Sequence, residues 1–334
     1  MTAVRAGAVA LAGALAVRAW TARRTARTHP GDPTGVRTDD GVRLHVEVAG
    51  SPAAPVTVVL AHGFAARSTM WDPQWAALQE HARVVRFDQR GHGRSGWPGR
   101  LRATPERLGR DLAAVVDRVA PAGPVVLVGH SMGGMALLAL AGRRPDLFGD
   151  RVVGVTLLST LAAPLALAGR DDAGSRTPVR VGAVSAAAAA LWLASPPVHL
   201  LHPFRTGPVQ RLLRHRLFAA DPPEQAVREM TGAWTATPTA VMSAHLPGLA
   251  GYDGRAAVDA LRTLPVLVLA GTDDTTVPAT AAERLTRRLG PRARLVLVPG
   301  AGHMVPLTHA EVVTAALLDL LARSRTGDDG RRVS

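Results

Sequence analysis

The run Val125-Val126-Leu127-Val128-Gly129-His130-Ser131-Met132-Gly133-Gly134 sets a serine where an apolar segment gives way to Met135-Ala136-Leu137-Leu138-Ala139-Leu140. It reads as a strand, a sharp turn and a helix. A serine hydroxyl is a poor nucleophile until a neighbouring base takes its proton, and a turn of this kind exposes the oxygen to such a base. Gly129 and Gly133 fit that geometry, because strand and helix come so close there that a side chain would collide. The same five residues, taken alone, also suit an ordinary glycine-rich turn.

A nucleophilic serine needs a base to accept its proton and a carboxylate to hold the base in the right tautomer. In sheets with alternating strands and helices, functional groups gather at the carboxyl ends of the strands. Asp274, with Asp273 beside it, follows the apolar run Val266 to Ala270. His303, in Pro299-Gly300-Ala301-Gly302-His303, follows Arg294 to Val298. Their order along the chain is Ser, Asp, His, the order expected for a nucleophile on a strand-to-helix turn. His309 competes weakly as the base, since it lies after Pro306 where the last helix should be starting. Asp253 competes weakly as the acid, since no strand end precedes it. The tetrahedral intermediate also needs preorganised N–H donors for its negative oxygen. Met132, at the helix start, offers one, and the loop His62-Gly63-Phe64 after Val56 to Ala61 offers the second at the Phe64 N–H.

The elements that must position these residues follow from the apolar pattern. Val36 to Val48 alternates around Asp40-Gly41 and predicts an opening pair of antiparallel strands. Short apolar runs at Val56 to Ala61, Arg83 to Asp88, Val125 to Val128, Val152 to Ser159, Val266 to Ala270 and Arg294 to Val298 alternate with helical stretches, which predicts a mostly parallel sheet covered on both faces. Between Ser159 and Leu264 about a hundred residues carry no convincing strand; they hold the apolar run Val184 to Leu193 and a helical pattern near Glu224 to Trp234. This stretch reads as a helical cap inserted into the sheet domain. Its apolar run suits a core helix of the cap, or else the wall of an acyl pocket or a membrane-facing lid.

The chain resembles the α/β-hydrolase fold superfamily from about Val36 to Leu321. Four motifs carry the resemblance: His62-Gly63-Phe64, Asp88-Gln89-Arg90-Gly91-His92-Gly93-Arg94-Ser95, Gly129-His130-Ser131-Met132-Gly133-Gly134 and Gly302-His303. It implies an α/β protein with a mostly parallel eight-stranded sheet, helices on both faces and a helical cap between the sixth and seventh sheet strands. It also implies an acid three residues after the glycine that ends a strand and shortly before a proline, a pattern that falls on Gly271, Asp274 and Pro278 and prefers Asp274 to Asp273. The expected activity is hydrolysis of a carboxylic ester, hydrophobic or lipid-like, through an acyl-enzyme. The expected catalytic residues are Ser131, Asp274 and His303, with Phe64 and Met132 donating to the oxyanion. Perhydrolysis or acyl transfer on the same residues and a non-catalytic binding role are the alternatives.

Other features have plainer readings. Gly91-His92-Gly93-Arg94-Ser95-Gly96 matches the dinucleotide fingerprint, but Trp97-Pro98-Gly99 follows where a helix must begin, so no cofactor is expected. His62, His92 and His130 lack metal-ligand spacing, so no metal is expected either. His130 and Met132 are expected to pack or to line the pocket, and Asp88 and Arg90 to pair structurally.

The formal net charge of +13 would suggest nucleic acid as a partner, yet all 39 basic residues are arginine and most are scattered, with few aromatics and no binding motif. Nucleic-acid binding is therefore not expected. The chain has no cysteine, which excludes disulfides and a thiol nucleophile. Ala6 to Val17 is an uncharged apolar run followed by Arg18, Arg23, Arg24 and Arg27. Residues 6–20 are expected to associate with a membrane, the catalytic domain lying on the cytoplasmic side with the arginines. Export after cleavage near Ala14-Leu15-Ala16 is the alternative. The organisation expected is residues 1–35 as apolar segment and linker, 36–160 and 256–323 as the core, 161–255 as the cap and 324–334 as a disordered tail.

Overall fold

The computed structural model describes residues 35–97, 103–120, 122–164, 181–193 and 202–326. The apolar run of residues 6–20 lies outside these, and among the described residues no helix is long and apolar enough to cross a membrane.

Strands β1 (Val36–Arg37) and β2 (Arg43–Leu44) pair antiparallel around Asp40-Gly41, as the alternation predicts. Seven strands then build the main sheet: β3 (Val46–Ala49), β4 (Thr57–Ala61), β5 (Arg83–Phe87), β6 (Val125–His130), β7 (Val152–Leu158), β8 (Val266–Gly271) and β9 (Ala293–Val298). Their order is β3-β5-β4-β6-β7-β8-β9, with β3 antiparallel to β5 and the other pairs parallel. Among the described residues the main sheet thus has seven strands rather than the eight expected. The opening pair stays a separate ribbon because a loop, not a strand, takes up the polar groups beside it. Arg43 O accepts from the Gly96 N–H at 2.8 Å, and the His45 N–H donates to Ser95 Oγ at 2.8 Å.

Every residue of β4, β6 and β8 is buried, as in parallel strands covered on both faces. The strand period of two separates two cores. Val59, Val85, Leu127, Val155 and Val268 face one way, against α2 (Pro105–Val119), α3 (Met132–Arg143) and α8 (Ala279–Leu289). Val58, Val84, Val126 and Leu267 face the other, against α1 (Asp72–Leu78) and the last helix, α10 (Ala310–Thr326), which the short α9 (Val305–Thr308) precedes. Helix α10 runs into the expected tail: Ser324 is buried and its hydroxyl donates to Leu320 O at 2.8 Å, so residues 324–326 are helical. Residues 327–334 lie outside the described ones.

Between β7 and β8 the described residues form four α-helices, a 3-10 helix (Arg255–Leu261) and no strand; the α-helices are α4 (Val181–Leu193), α5 (His202–Leu217), α6 (Glu224–Ala236) and α7 (Thr239–Gly251). Helix α4 is apolar but only partly covered. Ala188 is buried, whereas Ala186, Ala187, Ala190 and Leu191 are exposed, so it is not the interior helix that its composition suggests.

Candidate active site

Ser131 stands between β6 and α3 with φ 51° and ψ −114°. A non-glycine residue held at positive φ costs on the order of 1–3 kcal/mol and persists only where its surroundings hold it there. They do. Its N–H donates to Leu158 O at 2.9 Å, and its carbonyl accepts from Thr160 Oγ1 at 2.7 Å and from the Met135 N–H at 3.1 Å. A Cβ on Gly129 would lie 2.6 Å from Gly133 O, and one on Gly133 would lie 2.2 Å from Ala61 O. Both distances are shorter than real Cβ atoms tolerate, so the close approach of strand, turn and helix demands glycine at both places.

His303 follows β9 and is buried. Its Nε2 lies 3.0 Å from Ser131 Oγ, and its Nδ1 lies 2.8 Å from Asp274 Oδ2. Asp274, in the loop after β8, is also buried, and its Oδ1 accepts from the Thr276 and Val277 N–H groups at 2.8 Å each. Burial pushes its carboxyl up, but the His303 imidazole beside it and the three hydrogen bonds prevail and hold it below the usual carboxylate range. With both oxygens engaged, the carboxylate fixes the Nδ1–H tautomer of His303 and leaves Nε2 able to take a proton. Asp273 is exposed and bonded to Thr272 Oγ1. His309 engages Thr308 Oγ1, and Asp253 pairs with the exposed Arg255. None of these three joins the group.

The loop after β4 runs beside the serine: a Cβ on Gly63 would lie 3.3 Å from Ser131 Cβ and 2.6 Å from His130 Nδ1. The next amide belongs to Phe64. Neither the Phe64 nor the Met132 N–H has an acceptor among the described residues, so both are open to an oxygen on the serine. Two buried histidines shape this loop. His62 Nδ1 donates to Gly63 O at 2.7 Å while its Nε2 accepts the Gln89 N–H at 2.9 Å; burial lowers its pKa. His92 Nε2 accepts the Ala65 N–H at 3.1 Å. The glycine-rich Gly91 to Gly96 segment therefore supports the site through His92.

One expectation needs correction. Asp88 and Arg90 do not pair. Asp88 accepts from the Ser68 and Arg94 N–H groups at 2.7 and 2.8 Å, whereas Arg90 makes a bidentate pair with Asp111 at 2.5 and 2.6 Å and also reaches Asp40. Neighbours in a loop point apart, and each found a partner on another element. His130 packs, the first of the two roles expected of it: it is buried, and its Nε2 donates to the carbonyl of His303 at 3.0 Å, tying the base loop to the end of β6. Met132 packs with Leu108 and Ala136, as expected, and carries its amide into the site.

The helices between β7 and β8 close on these loops. At the end of α5, Arg216 O accepts from the Thr275 and Thr276 hydroxyls at 3.3 and 3.2 Å, and Leu217 O accepts from the Met304 N–H at 3.2 Å. Trp234 of α6 meets the Phe64 ring edge-on at 5.8 Å. Leu249 of α7 packs on the cluster of Leu108, Met132 and Ala136, as Phe64 does.

The sequence profile of the alpha/beta hydrolase family matches residues 58–316. RutD of Variovorax paradoxus (strain S110), named as a candidate carbamate hydrolase, is 33% identical over 284 residues, 84% of this chain and 96% of its own length. The bifunctional esterase/perhydrolase DCH of Acinetobacter calcoaceticus is 29% identical, over 85% of this chain and 97% of its own. Among solved structures, a thermophilic esterase from Thermogutta terrifontis superposes with a TM-score of 0.70 and 26% identity, covering 87% of this chain and 98% of the esterase. Sheet order, strained serine turn and full-length relatives agree, and the chain is a member of the alpha/beta hydrolase family.

Proposed function

We propose that this α/β-fold hydrolase cleaves carboxylic esters through an acyl-enzyme on Ser131. The observation that carries the reading is the unbroken relay from Ser131 Oγ through His303 to Asp274, at 3.0 and 2.8 Å. His303 Nε2 takes the Oγ proton as Oγ attacks the acyl carbonyl, and the Phe64 and Met132 N–H groups receive the oxyanion. Collapse expels the leaving oxygen, which takes the proton from His303 Nε2–H and departs as the alcohol. Water then gives its proton to Nε2, attacks the acyl carbon and releases the acid, and Ser131 recovers its proton. No cofactor is needed in this cycle.

Phe64 and Leu249, partly buried on the cluster that holds Met132 next to the serine, are apolar, which favours a hydrophobic acyl or alkyl group. Membrane association through residues 6–20, with the catalytic domain cytoplasmic, belongs to the same proposal. The esterase/perhydrolase relative supports a second reading, perhydrolysis on the same serine, in which hydrogen peroxide replaces water in deacylation. The decisive experiment is labelling by an active-site fluorophosphonate. Wild type should label on Ser131 and Ser131→Ala should not; labelling that survives Ser131→Ala refutes the reading. A panel of p-nitrophenyl esters of increasing chain length, a carbamate and a peroxide arm then ranks the chemistries. Recovery of unprocessed full-length protein in the soluble fraction would overturn the membrane proposal.

A further inference from the structure

The segment from His62 to Trp71 carries the Phe64 amide and has little regular structure: Ala65 sits at φ 52°, and the four-residue turn Ser68–Trp71 is helical. Near the amide, Gly63 O accepts from His62 Nδ1 at 2.7 Å and from the Ala66 N–H at 3.3 Å. On the core side the loop is pinned by His92 at the Ala65 N–H and by Asp88 at the Ser68 N–H. On its other side the partner is helix α6. Arg67 Nε and Nη2 donate to the two Glu229 oxygens at 2.9 and 2.8 Å, and Thr69 Oγ1 donates to Glu229 Oε1 at 2.5 Å. Arg67 Nε also donates to Thr69 Oγ1 at 2.9 Å, which locks the two loop side chains together. Five residues further along α6, Trp234 stands edge-on to Phe64 with an interplanar angle of 89°. One cap helix therefore grips the loop at both ends of the stretch that holds the amide.

Holding the cap in place does not explain the arrangement. The end of α5 already ties the cap to the Asp274 and His303 loops through Thr275, Thr276 and Met304. The Arg67–Glu229–Thr69 group reaches instead to the loop that the α5 end leaves untouched. Its planar guanidinium and carboxylate meet in the two-bond form that fixes orientation as well as distance. The pair is only half-buried, with the two side chains 37% and 22% exposed, so its worth lies in geometry more than in stability.

We propose that Arg67, Thr69 and Glu229 are positioning residues for ester hydrolysis: a clamp by which helix α6 holds the Phe64 amide on the oxyanion. The proposal rests on the serine-hydrolase reading above. A donor must sit within a fraction of an ångström of the developing charge to act, and removing one outright costs about 10²–10³ in kcat. Releasing the clamp misaims the Phe64 donor without deleting it, so the expected loss is about tenfold to a hundredfold.

The test uses the full-length protein with a p-nitrophenyl ester and with a trifluoromethyl ketone, whose adduct with serine carries an oxyanion. Glu229→Ala and Arg67→Ala should each lower kcat by about tenfold to a hundredfold while KM moves by less than about threefold, because the interaction acts in the transition state. The ketone inhibition constant should rise in step with the fall in kcat. The double variant should be no worse than the worse single one, and Arg67→Lys should recover part of the loss. Asp253→Ala, which breaks an exposed pair elsewhere, should change nothing. Circular dichroism and Tm separate misfolding from misaiming; if the alanine variants unfold, Glu229→Gln, which keeps shape but drops the charge, decides instead. The proposal is overturned if folded Glu229→Ala or Glu229→Gln keeps kcat within twofold of wild type, if only KM moves, or if losses in the double variant multiply. A wild type that neither hydrolyses esters nor labels on Ser131 sinks the serine reading, whereas an active wild type with equally active variants sinks the clamp alone.

Discussion

Acidification should destabilise this protein through its buried neutral histidines, among them His130 and His245. His130 is enclosed at the end of β6; burial first, and then the neighbouring His303, lower its pKa from 6.5 to about 3. Among the described residues its Nδ1 has no partner; it faces the Gly63 backbone, so a second proton would have nowhere to be solvated. His245 on α7 donates from Nδ1 to Val241 O at 2.9 Å, its Nε2 has no partner among the described residues, and burial lowers its pKa to about 4. In the unfolded chain both rings take up protons near pH 6.5, and in the folded chain they do not. The unfolded state thus binds more protons below 6.5, and stability is fully present above that pH and is lost as pH falls towards the folded values. One and a half pH units at about 1.4 kcal/mol each cost about 2 kcal/mol per ring at pH 5, or about 4 kcal/mol for the pair. That is a large part of the roughly 5–15 kcal/mol by which a domain is folded. Urea unfolding at pH 7.5, 6.0 and 5.0 measures the slope, and His245→Asn, which keeps a donor for Val241 O, removes one titration. The slope between pH 6 and 5 should flatten by about 1 kcal/mol per pH unit in the variant, whatever constant amount the substitution costs in packing. Equal slopes in variant and wild type would refute the account, as would a His245 resonance titrating near pH 6.5.

Asp274→Asn should keep the bonds from Thr276 and Val277 but turn an amide N–H towards His303, favouring the wrong imidazole tautomer. A fall in kcat of about 10³–10⁴ is expected in steady-state ester hydrolysis, against a change of less than about threefold for Asp273→Asn. Gly133→Ala drives a Cβ to 2.2 Å from Ala61 O, so it should lose fluorophosphonate labelling and at least about 2 kcal/mol of stability in denaturant titration.

Much of this site could be read from the chain because its residues sit in strand-end loops whose chemistry is local. The serine turn announces itself through Gly129 and Gly133, and the acid and base each follow an apolar strand by a few residues. The six principal strands lie where the apolar runs predict them, because parallel strands buried on both faces must be apolar throughout. What escaped the reading is what depends on partners far away. His130 sits in an apolar, fully buried run; a polar side chain there must find a partner, but that partner is the carbonyl of a residue 173 positions on. Arg67 and Glu229 are 162 positions apart and look, in isolation, like two more surface charges in an arginine-rich chain. The missing eighth strand has the same origin. Whether Arg43 and His45 meet a strand or a loop is decided by Ser95 and Gly96, some fifty residues later.

These long-range contacts divide the cap into parts with different duties. The end of α5 and the length of α6 touch the acid, base and oxyanion loops through hydrogen bonds and one aromatic contact, so their positions are tied to the chemistry. Helix α4 packs against α7 and has exposed alanines on its other side. Substitutions on α4 should therefore leave the proposed reacting groups in place. A change on α6 reaches the proposed chemistry directly, because Trp234 stands edge-on to Phe64. On the proposed mechanism, a bulky-to-small change at Trp234 should loosen the Phe64 donor and lower the rate at which any ester is cleaved, whatever its size.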